Sequence, residues 1–274
     1  MRYSKSGDAA KQELQVLALL ARAGPQAAPF VPETYGACDE RREVVVLQER
    51  ALFGSIKAAI TEGQLATQWT QAHKLFASSQ VAAAMDFLSS VRIVHADLSC
   101  RNLLLHNFAP EAPEMTQVKV TDFGLALLLK EGADHEIRKQ PQATRWCAPE
   151  QIAWQKLSPR SDVWALGATM WELFAGGTAP WNRWEKRANV NARLSQLAEV
   201  AAQGTGEEQE ASLADDFPAP EGCDEGSHAM ILSCLRPDEA RRPTFAELTL
   251  CILTLVGCAP VSPEEEAAAV EAAA

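Results

Sequence analysis

His95-Ala96-Asp97-Leu98-Ser99-Cys100-Arg101-Asn102 is a polar segment held between two apolar runs, Ile93-Val94 before it and Leu103-Leu104-Leu105 after it. Both runs read as short strands, so a carboxylate and an amide, Asp97 and Asn102, share one tight loop. A third short strand, Val118-Lys119-Val120, leads into Asp122-Phe123-Gly124, where glycine lets the chain turn sharply. Singly, Asp97, Asn102 and Asp122 each read as ordinary turn formers. Their common order is what carries chemistry.

Hard oxygen ligands suit Mg²⁺. Phosphoryl transfer asks a protein for few groups: a carboxylate that accepts a proton, an amide ligand close to it, and a second carboxylate on a neighbouring turn. Asp97, Asn102 and Asp122 are such a set. Further along come Ala148-Pro149-Glu150, then Ser161-Asp162-Val163-Trp164-Ala165-Leu166-Gly167, then Arg241-Arg242-Pro243-Thr244-Phe245. In this order the five segments resemble the catalytic loop, DFG, APE, F-helix and C-terminal Arg motifs of the protein kinase family. The resemblance covers residues 1 to 257. It implies an α+β, bilobal fold with a truncated, β-rich small lobe and a mainly helical large lobe, binding ATP and Mg²⁺ in the cleft.

By position, the resemblance makes Asp97 the catalytic base, with Arg101 and Asn102 beside it in the catalytic loop. Asn102 and Asp122 would hold the metal. Glu13, in the helical run 8–22, resembles the helix-C glutamate that pairs with a strand lysine. Gln48 stands at the gatekeeper position before a hinge of Glu49, Arg50 and Ala51, and with Leu104 these residues would meet the nucleotide. Gly54-Ser55-Ile56 resembles the turn that opens helix D. Glu150 and Arg242 resemble the family's buried ion pair. His95 reads as a structural histidine bonded to backbone, and Cys100 as small apolar filler.

The remaining chain sets limits. Net charge is −11 over 274 residues, which repels phosphate backbones and argues against nucleic acid as a partner. Seven cysteines at irregular spacing argue against a disulfide framework or zinc site and for a reducing, cytoplasmic setting. The first residues form no apolar leader, and Leu248 to Val256 is too short to span a bilayer, so a soluble chain without a membrane span is expected. Residues 8–22, 64–90 and the chain beyond 161 read as helical, 43–48 as a strand, and 106–117 as a surface loop. Residues 1–50 are expected to form the partial small lobe and 51–257 the large lobe. Residues 258–274 are an acidic, alanine-rich tail in which Ser262-Pro263-Glu264-Glu265 reads as a helix start. The acid-rich stretch 194–235, which has no Lys or Arg, reads as a solvated face, with a dock for a basic partner as the alternative.

Substrate type is inferred from the same resemblance. Arg101 and Arg145-Trp146-Cys147-Ala148-Pro149-Glu150 are similar to tyrosine-kinase motifs, whereas Ser99 stands where Ser/Thr-type loops carry lysine. The expectation is a kinase acting on protein hydroxyls, tyrosine preferred. Departures point to an alternative, a pseudokinase scaffold. No glycine-rich loop precedes Glu13, and Arg2 stands at the strand-lysine position. Ala143 replaces the proline usual two residues before Arg145, a departure that bears instead on the choice of hydroxyl substrate. Ala96 replaces the arginine that binds an activation-loop phosphate in many kinases. Thr144 is the one hydroxyl side chain in 123–150, so control by loop phosphorylation is not expected.

Overall fold

The computed structural model describes residues 2–3, 7–40, 43–184, 186–204 and 213–257, with backbone alone at 2–3, 7–11, 38–40 and 43–44. Helical spacing of apolar residues produces α1 (Gly7–Ala23), which buries Val16, Leu17 and Leu20 along one stripe. A 3-10 turn over Gly24–Gln26, with proline at its start, ends the helix. Strands β1 (Arg2–Tyr3), β2 (Thr34–Glu40) and β3 (Glu43–Gln48) form an antiparallel sheet in the order β1-β3-β2. The valine-rich run is thus the central strand. β2 has no clean alternation in sequence. Its register against β3 shifts between Thr34 and Gly36, and such an irregularity erases the period-2 signal.

Beyond β3 the chain is mainly helical: α2 (Ile56–Thr61), α3 (Gln71–Ser90), α4 (Pro149–Trp154), α5 (Pro159–Phe174), α6 (Arg187–Ala202), α7 (Glu225–Cys234) and α8 (Phe245–Leu255). α5 is the axis of this part. Every residue from Ser161 to Phe174 is buried, as expected of a helix covered on all sides. Ser158 caps it by accepting from the Ser161 amide, and Pro159 occupies its first turn. A Cβ on Gly167 would stand 2.6 Å from the Cβ of Cys234, so α7 crosses α5 at a point that only glycine allows. α3 packs on α5 and α8 and buries Val81, Met85 and Leu88.

Short two-stranded ladders frame the polar segments. β4 (Ile93–Val94) pairs with β7 (Leu127–Leu128), and β5 (Leu103–Asn107) with β6 (Gln117–Val120). β8 (Glu136–Ile137) pairs with β9 (Lys156–Leu157). The loop expected over 106–117 is shorter, because β5 continues to Asn107 and a 3-10 turn occupies Pro113–Met115. The helix start at Ser262 and residues 205–212 of the acid-rich stretch lie outside the described residues. Among the described residues no helix is long and apolar enough to cross a membrane.

Candidate active site

The 95–102 loop is built on α5. Both carboxylate oxygens of the fully buried Asp162 accept backbone amides, from His95 at 2.7 Å and Ala96 at 2.9 Å. Burial pushes the Asp162 carboxyl up to about 6, although His95 and the two amide bonds pull the other way. Ala96 sits at φ 61°, a left-handed conformation that costs a non-glycine residue roughly 1–2 kcal/mol. The Asp162 bond to its own amide holds it there. His95 donates from Nε2 to the Thr121 carbonyl at 3.0 Å and accepts the Asp97 amide at Nδ1, 3.3 Å. The expected structural histidine therefore clips the loop to the end of β6.

The three chemistry-bearing side chains share this corner. Asn102 Nδ2 donates to the Asp97 carbonyl at 2.6 Å and to its carboxylate at 3.1 Å. The Thr121 amide donates to the Asn102 carbonyl at 2.9 Å, which sets Asp122 next to the loop. Asp122 itself is left-handed, φ 64°, and its carboxylate accepts the Gly124 amide at 3.3 Å. Burial raises the Asp97 carboxyl above its ordinary range. Asp122 pushes the same way, while His95, the Asn102 bond and Arg101 pull it back. A carboxylate moved upward is better matched to proton acceptance near neutral pH.

The donor set fits a hard cation. With its nitrogen turned to Asp97, Asn102 has its amide oxygen as the remaining acceptor, and Asp122 adds a carboxylate, both oxygen ligands of the kind Mg²⁺ takes.

Of the expected nucleotide-side residues, Gln48, Glu49, Ala51 and Leu104 lie on or beside strands, and Glu13 lies on α1. The Phe53 amide donates to the Leu105 carbonyl at 3.2 Å and the Leu105 amide to the Gly54 carbonyl at 2.9 Å, so the segment carrying Ala51 runs against β5 and Leu104. Gln48 Nε2 donates to Thr34 Oγ1 at 3.2 Å. The Glu49 carboxylate is held by Lys119 at 2.7 Å and by His106 at 3.3 Å. Glu13 is buried on α1 beside Val16 and Leu17, and its neighbour Gln12 ties α1 to the Ala126 carbonyl at 2.7 Å. The side chain of Arg2 lies outside what the structure describes. Phe123 is buried and, with Leu17, Leu20 and Val31, lines an apolar cavity of about 400 Å³ to which none of the expected site residues contributes.

A second set of residues shapes the strap 142–147. The guanidinium of Arg101 lies over the Trp146 ring, 5.7 Å from its centre. Arg145 donates to the carbonyls of Pro180, Trp181 and Trp184 at 2.7–2.8 Å. Arg187 Nε donates to the buried Thr144 hydroxyl at 2.7 Å, and Nη2 to the Gln142 carbonyl at 3.2 Å. Glu150 and Arg242 form the expected buried, two-pronged pair, 2.6 and 2.8 Å. Sequence reasoning missed the roles of Asp162 and Arg187, and it missed Glu172 altogether. Glu172 had a legible signal: it is the one carboxylate within the apolar run Val163–Phe174, and a charge buried in a core needs partners.

Comparison with known proteins agrees with this architecture. The family model described as protein tyrosine and serine/threonine kinase matches residues 5–252. The tyrosine-protein kinase HTK16 of Hydra vulgaris is 32% identical over 207 residues, covering 75% of this chain and 24% of that protein. The non-receptor tyrosine-protein kinase TNK1 of Mus musculus is 34% identical over 205 residues, 74% of this chain and 27% of that protein. The transforming protein Abl of Abelson murine leukemia virus is 28% identical over 242 residues, 87% of this chain and 28% of that protein. This chain thus spans roughly a quarter of the length of these relatives.

Proposed function

Because the chain belongs to the protein tyrosine and serine/threonine kinase family, we propose that it transfers the γ-phosphoryl group of ATP to protein hydroxyls, tyrosine before serine and threonine. The observation that carries the reading is the joint corner of Asp97, Asn102 and Asp122. Asp97 is the base: it orients the incoming hydroxyl and takes its proton. Asn102 fixes the Asp97 carboxylate and, with Asp122, supplies the oxygens for Mg²⁺, which when bound neutralises charge on the phosphates. Glu13, Gln48, Glu49, Ala51 and Leu104 form the nucleotide side, and Arg101 works at the substrate side against Trp146. Residues 1–50 are the small-lobe part, 51–257 the large lobe and 258–274 a tail. A protein substrate and a cytoplasmic setting belong to the same reading.

Tyrosine preference rests on Arg101 and on the Arg145-Trp146 strap, with tyrosine kinases among the relatives. One observation favours a second reading, a binding scaffold without catalysis. Arg2 stands where the family carries its strand lysine, and a forked guanidinium is no substitute for a compact ammonium. The test is phosphate transfer from ATP and Mg²⁺ to matched tyrosine and serine peptides. Transfer to tyrosine, lost in Asp122→Asn, is expected. Wild-type signal equal to that of Asp122→Asn supports the scaffold, and faster transfer to serine overturns the tyrosine assignment.

A further inference from the structure

Glu172, on the last turns of α5, is 1% exposed and accepts hydrogen bonds from three separate segments. The Cys100 amide in the catalytic loop donates to Oε2 at 3.1 Å. The Trp146 indole in the strap donates to the same oxygen at 3.0 Å. The Lys57 ammonium in α2 donates to Oε1 at 3.1 Å and also bonds the Gly177 carbonyl. A buried carboxylate is tolerated only when paired and bonded, and Lys57 supplies the opposite charge. The other two donors come from the segment that carries Asp97 and the segment on which a peptide hydroxyl would be presented. Arg101, next to Cys100, leans over the Trp146 ring and so joins the same two segments a second time.

We infer that Glu172 is a positioning residue: one buried carboxylate holds the base-bearing loop and the substrate-facing strap in a single register. The inference rests on the kinase reading. Two amides of one loop could hold their shape without the strap, and the strap could be held by arginines alone. A shared buried acceptor makes movement of one shift the other. Misplacing reacting groups by about 1 Å costs up to about 10²-fold in rate.

The experiment uses Trp146→Phe, which keeps an aromatic face for Arg101 while removing the indole N–H, and Glu172→Gln, which keeps the shape and removes the charge. Turnover of a synthetic single-tyrosine peptide and backbone hydrogen exchange are measured for each. Expected are a several-fold lower kcat/KM for peptide in Trp146→Phe with the KM for ATP unchanged, and a loss approaching 10²-fold in Glu172→Gln. The double variant should lose less than the product of the two single losses. Exchange at residues 97–102 should quicken in Trp146→Phe, although that side chain is outside the loop. Unchanged exchange there, or multiplicative losses in the double variant, overturns the inference. Quickened exchange together with a wild type that transfers no phosphate instead overturns the kinase reading and leaves the register role standing.

Discussion

The 95–102 loop and the 142–147 strap meet at Glu172, yet away from that shared carboxylate they are held by different means. The loop hangs from buried anions on α5: Asp162 and Glu172 accept the amides of His95, Ala96 and Cys100. Apart from the Trp146 bond to Glu172, the strap is tied by cations: Arg145 and Arg187 donate to carbonyls and to one hydroxyl. Arg187 belongs to an exposed turn of helix, whereas Asp162 is fully buried. A buried carboxylate facing backbone amides allows one geometry, and its loss leaves donors without partners. A long cation on a partly wet surface can be replaced by water. The loop is therefore held rigidly along its length, and the strap only where Trp146 reaches Glu172, with its arginine ties freer to adjust.

The largest break in this comparison comes from Asp162→Ala. Two buried amides lose their acceptor, for an expected loss of about 2–4 kcal/mol in denaturant unfolding, with peptide turnover falling alongside. A matching pH signature is expected of the wild type. Asp162 rises from 3.8 to about 6 on folding. Between those values the folded chain holds more proton than the unfolded chain, so this group makes stability fall as pH rises through the window. Asp162→Ala should remove that slope. An Asp162→Ala chain as stable as wild type contradicts the hanging-loop account.

Arg187→Ala sharpens the other side. The strap keeps its Arg145 and Trp146 ties, so thermal unfolding should change by less than about 1 kcal/mol. The peptide KM should rise several-fold with kcat nearly unchanged. A fall in kcat as large as that of Asp162→Ala would mean that strap and loop are equally rigid. The smallest effect is expected at Thr144. Its hydroxyl is buried against Arg187, and Ala96 offers the loop no cation, so Thr144→Glu should not raise turnover. A rise measured in the same assay would reveal a control route through Arg187.

Much of the loop is legible in the sequence. The strands around it are short apolar runs, and Asp97, Asn102 and Asp122 stand in an order that no single turn requires. The Glu150–Arg242 pair and the backbone-bonded His95 are likewise expected and are present. The strap is harder to read. Its contacts run to carbonyls of residues 180–184, and a carbonyl has no letter in the sequence. Asp162 lies inside a recognisable motif, yet its partners are amides far away along the chain. β2 is hidden by its bulged register. What a sequence conceals here is mainly side chain to backbone bonding across long separations.

In the proposed reaction Asp97 receives the proton of the hydroxyl under attack. Asp97→Asn keeps the shape and the Asn102 neighbourhood while removing the base, so kcat for a tyrosine peptide near neutral pH should fall about 10²–10⁴-fold with the KM for ATP unchanged. In the wild type the rate should decline as pH falls through the Asp97 pKa, on a limb above the 3.8 of an ordinary aspartate. A variant that turns over peptide as fast as wild type would contradict the account.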